Sequence, residues 1–151
     1  MGHGTTIRLL FPRSKKGPTP TADREATKAK ENAGCSILLV EDNMSIAEVT
    51  KSNLELSGHH VVHAPSGEEA MSAIKANRFD AVFSDIVMPG PLNGIDLAQK
   101  IRAFENGPPV ILTTGYSDEA QKAIDAGITI IFKPYTIQEL EKAIELARRP
   151  A

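Results

Sequence analysis

The chain has 151 residues, 41% of them apolar and 24% charged, with a formal net charge of −2. That is one domain's worth of ordinary globular sequence, long enough for a single hydrophobic core and too short for two. No apolar run approaches the ~20 residues needed to cross a bilayer, no basic-then-apolar leader opens the N-terminus, and the charge balance gives no reason to expect contact with nucleic acid.

Charge is unevenly spread. Residues 1–34 carry seven Lys or Arg against three acids, and the remainder carries ten against sixteen. Residues 5–11 form a strand-like piece that alternates poorly. After it, Pro12, Pro18 and Pro20 punctuate a polar stretch that buries too little surface to offset the entropy of ordering, so 14–34 reads as a flexible linker. From Cys35 the pattern becomes that of a folded domain, 35–149. Residues 36–40 are a short apolar run of the kind found in strands buried on both faces. A helix over 43–57 follows, with Ile46, Val49 and Leu54 at helical spacing and Gly58 as its stop. Residues 60–64 are a second strand, and Ser66 with Glu69 is a capping box opening a helix to about Asn77. A third strand lies at 81–83, then a helix over 93–105 whose face is Leu97, Ile101 and Phe104. A fourth strand lies at 109–113, a polar helix capped by Ser117 runs to about Ala126, and a fifth strand spans 128–132. Thr136 and Glu139 form another capping box, opening a helix with Ile137, Leu140, Ile144 and Ala147 on one face.

Strands alternating with helices imply right-handed crossovers and a parallel sheet covered on both sides. Ligands of such sheets sit beyond the carboxyl ends of the strands. That rim collects Glu41 and Asp42 after strand one, Asp85 after strand three, Thr113 and Thr114 at strand four, and Lys133 after strand five. Clustered carboxylates repel, and a hard divalent cation with oxygen ligands relieves the repulsion; Mg²⁺ suits two or three carboxylates and a carbonyl. An ionised Asp beside the cation is a nucleophile for phosphorus, while a Lys and a Thr hydroxyl stabilise charge on the phosphoryl oxygens.

Four segments in this order, Leu39-Val40-Glu41-Asp42-Asn43, Ser84-Asp85-Ile86-Val87-Met88-Pro89, Thr114-Gly115-Tyr116 and Phe132-Lys133-Pro134-Tyr135, resemble the receiver domains of two-component response regulators over about 37–148. The resemblance implies an α/β, flavodoxin-like (CheY-like), doubly wound five-stranded parallel sheet with strand order 2-1-3-4-5 and five helices. It implies that Asp85 takes a phosphoryl group from the phosphohistidine of a histidine kinase or histidine phosphotransfer protein. Asp42 and Asp85 would bind Mg²⁺ (or Mn²⁺) directly, Glu41 through water, and the Val87 carbonyl would complete the protein ligands. Thr114 would be the switch hydroxyl and Lys133 the phosphate-pairing cation. Such a chain is a phosphoacceptor, not an enzyme in its own right. It is expected in the cytoplasm, as a monomer or weak homodimer, without contact to nucleic acid or membrane.

Two features depart from the family pattern. Ile130 stands where many receivers carry an aromatic switch residue, and the segment 88–94 is one residue longer than the commonest receiver loop. Phosphorylation is expected to reshape the surroundings of Thr114, Tyr116 and Ile130. Residues 2–12 resemble the last glycine box and final strand of a histidine-kinase ATP-binding domain, so 1–13 read as a kinase remnant and the whole as the junction of a hybrid sensor kinase. Two competing functions remain. A metal-dependent phosphohydrolase with Asp85 as nucleophile would need an acid two residues on, where Val87 cannot activate water. A receiver that only docks partners would have no use for the acids, Thr114 and Lys133. His59, His60 and His63 are read as surface or packing residues, Tyr116 and Tyr135 as bordering a docking face or partly buried, and Cys35 as a linker-edge residue without nucleophilic role.

Overall fold

The computed structural model describes residues 34–115 and 117–148. The segment 1–13 read as a kinase remnant, nearly all of the segment read as a linker, Tyr116, the side chain of Ser117 read as a cap, and everything past Arg148 lie outside what is described. Strands β1 (Ser36–Val40), β2 (His60–Ala64), β3 (Ala81–Asp85), β4 (Val110–Thr114) and β5 (Thr129–Phe132) alternate with helices α1 (Met44–Leu56), α2 (Gly67–Ala76), α3 (Gly94–Arg102), α4 (Ser117–Asp125) and α5 (Ile137–Arg148). Every pairing is parallel and the order is β2-β1-β3-β4-β5. The five-stranded α/β sheet with order 2-1-3-4-5 anticipated from the sequence is therefore the fold. Because β2 lies on one side of β1 and β3 on the other, the order reverses at β1 and opens a crevice at the carboxyl ends of β1 and β3.

Alternation along the strands builds two core layers. Leu38, Val40, Val82 and Leu112 pack with Ala70 of α2, Leu97 and Ile101 of α3 and Ala123 of α4. Ile37, Leu39, Phe83 and Ile111 pack with Ala47 and Leu54 of α1 and Leu140 and Ile144 of α5. The helix starts are fixed by their caps. Asn43 Oδ1 accepts the Ser45 and Ile46 N–H groups, Ser66 Oγ accepts that of Glu69, and Asn93 Oδ1 accepts those of Ile95 and Asp96. At α5 the box closes both ways: the Thr136 N–H donates to Glu139 Oε2 and the Glu139 N–H to Thr136 Oγ1. Those bonds hold the Glu139 carboxyl below the usual glutamate range. Gly58 ends α1 with φ +92°, a conformation side chains rarely adopt.

The structure corrects two sequence readings. Ile46 and Val49 turn outwards, Val49 to 63% exposure, and Ala47, Thr50 and Leu54 face the sheet instead. Small residues, one with a hydroxyl bonded to Tyr135, win the inner face of α1 over larger apolar ones. Phe104 is not on the face of α3; that helix ends at Arg102, and the Phe104 N–H closes a turn onto the Ile101 carbonyl. In the long 88–94 segment, Met88 and Leu92 are buried in the same core layer as α2 and α3.

At the pole opposite the carboxyl ends of the strands, Arg148 closes the domain. Its Nη1 donates to Cys35 Sγ at 2.7 Å and its Nη2 lies 3.7 Å from Asp80 Oδ1, while Asp80 Oδ2 accepts the Ser36 N–H at 2.8 Å. Cys35 is buried, and its N–H donates to His59 Nδ1 at 3.2 Å. An open hollow of about 730 Å³ between Phe79 and Phe104, lined also by Asp80, lies at this pole too, and Glu41, Asp42 and Asp85 are not among its lining residues.

Candidate functional site

Register decides which side chains meet. Val40 pairs with Ser84 across β1 and β3, Asp85 pairs with Thr113 across β3 and β4, and Thr114 with Phe132 across β4 and β5. Each strand thus ends within a residue of its neighbour, and Glu41, Asp85, Thr114 and Lys133 emerge on one rim. The Lys133 N–H donates to the Thr114 carbonyl at 2.9 Å, which carries the β4–β5 ladder one step past β5. The Lys133–Pro134 peptide bond is cis.

Lys133 gathers the acids. Its Nζ lies 2.6 Å from Asp85 Oδ2 and 3.2 Å from Glu41 Oε2. The other Asp85 oxygen, Oδ1, accepts the Val87 N–H at 3.2 Å, and the other Glu41 oxygen, Oε1, accepts the Asn43 N–H at 3.2 Å. The Glu41 backbone is held as well: its N–H donates to the Ala64 carbonyl at 3.2 Å and its carbonyl lies 2.8 Å from His63 Nε2. Tyr135 braces the lysine loop, packing edge-on against Phe83 at 5.4 Å between ring centroids and placing its hydroxyl 3.4 Å from Thr50 Oγ1.

Burial pushes the Glu41 carboxyl above the usual glutamate range; the Lys133 charge and hydrogen bond oppose the shift and the nearby Asp85 charge adds to it. For Lys133 burial acts downwards, but Asp85 and Glu41 outweigh it and hold the ammonium above its ordinary value. Burial likewise raises the Tyr135 phenol.

Of the residues singled out in the sequence, Glu41 and Thr114 are buried, Asp85 and Lys133 are half-buried, and Asp42 and Val87 are exposed. Asp85, Glu41 and Lys133 are in direct contact. Asp42 makes no ion pair with Lys133, and among the described residues no three Asp, Glu, His or Cys side chains stand close enough together to hold a metal ion. The residues nonetheless fit a hard divalent cation in charge and donor chemistry. Glu41 and Asp85 share one ammonium, the exposed Asp42 follows Glu41 directly in the chain, the side-chain donors of these three acids are all oxygen, and burial already holds the Glu41 carboxyl above its usual range.

Three contacts and one buried hydroxyl were not legible in the sequence. The Val87 and Asn43 donors are backbone groups, which composition cannot announce. His63 reads from the sequence as a surface or packing residue, although its place on β2 opposite Leu39 puts it on the acid-bearing face of the sheet. Thr113 Oγ1, next to Asp85 in register, is buried without a hydrogen-bond partner among the described residues.

A doubly wound parallel sheet with acids at the β1 and β3 ends and a lysine after β5 defines an α/β domain with an acidic rim at its switch point. Residues 37–145 match the response regulator receiver domain, and the chain belongs to that family. It is 32% identical to the virulence sensor protein BvgS of Bordetella bronchiseptica, in an alignment covering 99% of this chain and 13% of the relative. It is 33% identical to the C4-dicarboxylate transport transcriptional regulatory protein DctD of Rhizobium meliloti, over 78% of this chain and 25% of that one. The chain thus spans a small part of the curated relatives it matches. Among solved structures it is similar to the receiver domain of a sensor histidine kinase from Pseudomonas aeruginosa, whose active-site cleft coordinates a magnesium ion. That likeness has a TM-score of 0.69 and 30% identity over 77% of this chain and 98% of the other. No helix among the described residues is long and apolar enough to cross a membrane.

Proposed function

We propose that this receiver domain accepts a phosphoryl group on Asp85 from the phosphohistidine of a histidine kinase or phosphotransfer protein, and passes the signal on by protein–protein contact. The observation that carries the reading is the short Lys133–Asp85 ion pair at the switch point of the sheet, with Glu41 drawn to the same ammonium. Asp42, Asp85 and the Val87 carbonyl would hold Mg²⁺ or Mn²⁺, with Glu41 acting through water, and the cation would supply charge neutralisation for the phosphoryl oxygens. An Asp85 carboxylate oxygen attacks phosphorus, the P–N bond breaks, and its electron pair returns to the imidazole of the donor, which takes up a proton. Lys133 and the Thr114 hydroxyl hold the phosphoryl oxygens as charge moves onto the aspartyl phosphate. Val87, two residues on, offers no side chain to activate water, so the phosphoryl group persists.

The alignment with BvgS reaches beyond the receiver into the N-terminal third, and this supports reading 1–13 as the end of a kinase ATP-binding domain joined by the linker at 14–34. We read the receiver as cytoplasmic, where a donor phosphorylated from ATP would meet it. The test is incubation with Mg²⁺ and acetyl phosphate followed by intact mass. One phosphoryl adduct per chain, lost in Asp85→Asn and in chelator, is expected; multiple turnover of a phosphate ester, or an adduct that survives Asp85→Asn, overturns the assignment.

A further inference from the structure

The β1–α1 corner is tied to the edge strand β2 more tightly than the ladder requires. The last register pair of β1 and β2 is Val40 with Ala64. Beyond it the Glu41 N–H still reaches the Ala64 carbonyl, and the Glu41 carbonyl, which a parallel ladder would next pair with a backbone N–H, is met by the His63 side chain at 2.8 Å. A carbonyl oxygen only accepts, so Nε2 carries the proton and donates it. His63 pairs in register with Leu39, and its half-buried ring therefore lies on the sheet face that carries Glu41 and α1.

The Glu41 carbonyl belongs to the peptide plane that joins Glu41 to Asp42. Fixing that plane limits where the Asp42 Cα–Cβ bond points, because few backbone rotations remain between the anchored carbonyl and the Asn43 N–H, itself bonded to Glu41 Oε1. We propose that His63 is a positioning residue for the divalent-cation site: by donating from Nε2 to the Glu41 carbonyl it presents the Asp42 carboxylate to the cation shared with Asp85. The inference rests on the reading that Asp42 and Asp85 bind a divalent cation. A role in packing alone would leave the donated proton without consequence.

The test compares the full chain with His63→Leu, which keeps bulk and removes the donor, and His63→Gln, which places an amide N–H near the same point. Mg²⁺ affinity is measured by calorimetric titration, and fold by circular dichroism and thermal melting. His63→Leu is expected to bind Mg²⁺ about 10-fold more weakly, the usual scale for losing a hydrogen bond that orients metal ligands, and His63→Gln to restore most of the affinity. Unchanged affinity in a folded His63→Leu chain overturns the proposal while leaving the cation reading intact, as does failure of a folded His63→Gln chain to recover. No Mg²⁺ binding by the parent chain overturns both. If His63→Leu does not fold, the parent decides through its imidazole Nε2 proton: a resonance protected from exchange supports the bond, and rapid exchange overturns it.

Discussion

Both oxygens of the Asp85 carboxylate are engaged, one by the Val87 N–H and one by Lys133, so the group is fixed in direction. Lys133 also offsets part of the burial cost of Glu41. Its removal therefore has two separable effects. Lys133→Met is expected to slow phosphorylation by acetyl phosphate on the order of 100-fold, as when one donor to a developing oxyanion is lost, read by intact mass against time. It also leaves two carboxylates facing each other. Glu41 already holds its proton more tightly in the fold than in the unfolded chain, so its contribution to stability is full below the ordinary glutamate value of 4.5 and is lost as pH rises through the folded value. Without the ammonium that folded value moves further up, and denaturation midpoints of Lys133→Met should fall more steeply from acidic to neutral pH than those of the parent. The raised Lys133 works in the opposite range: its contribution is present at neutral pH and lost only as pH rises past the usual lysine value of 10.5.

Among the elements, α3 begins hard against the end of β3. The Gly94 N–H donates to the Ile86 carbonyl, and a Cβ built on Gly94 would stand 2.2 Å from the Asp85 carbonyl oxygen. Gly94→Ala must push the start of α3 away from the end of β3, and overpacking of this kind costs about 1–3 kcal/mol. A lowered unfolding midpoint in denaturant is expected, together with slower phosphorylation. The elements themselves were legible because their signals are local. Asn43, Ser66, Asn93 and Thr136 announce helix starts, and apolar runs such as Ile37-Leu38-Leu39-Val40 announce strands covered on both faces. The phase of α1 was not legible, since Ala47 and Thr50 carry weaker hydrophobic signals than Ile46 and Val49 yet fit beneath the helix. The end of α3 was missed for a related reason: Phe104 continues the apolar spacing after the backbone has left the helix. At the site, the charged side chains could be placed by counting strand ends. Their backbone partners and the inward reach of His63 could not, because these depend on three-dimensional register.

For the molecule as a whole, the doubly wound order separates two poles. The carboxyl ends of the strands carry the acids, Thr114 and Lys133; the amino ends carry the Arg148–Cys35–Asp80 tie that fastens the last helix to the first strand. Burial pushes the Cys35 thiol above its ordinary range, although Arg148 partly opposes the shift, and a protonated thiol is a poor nucleophile. The chain's single sulfhydryl is in this way a stopwatch for the closed end of the domain. Alkylation by iodoacetamide should be slow in the native protein and accelerate in Arg148→Ala, while Asp85→Asn, at the far pole, leaves the labelling rate unchanged. Rapid native labelling would mean that the seam between β1 and α5 opens on its own.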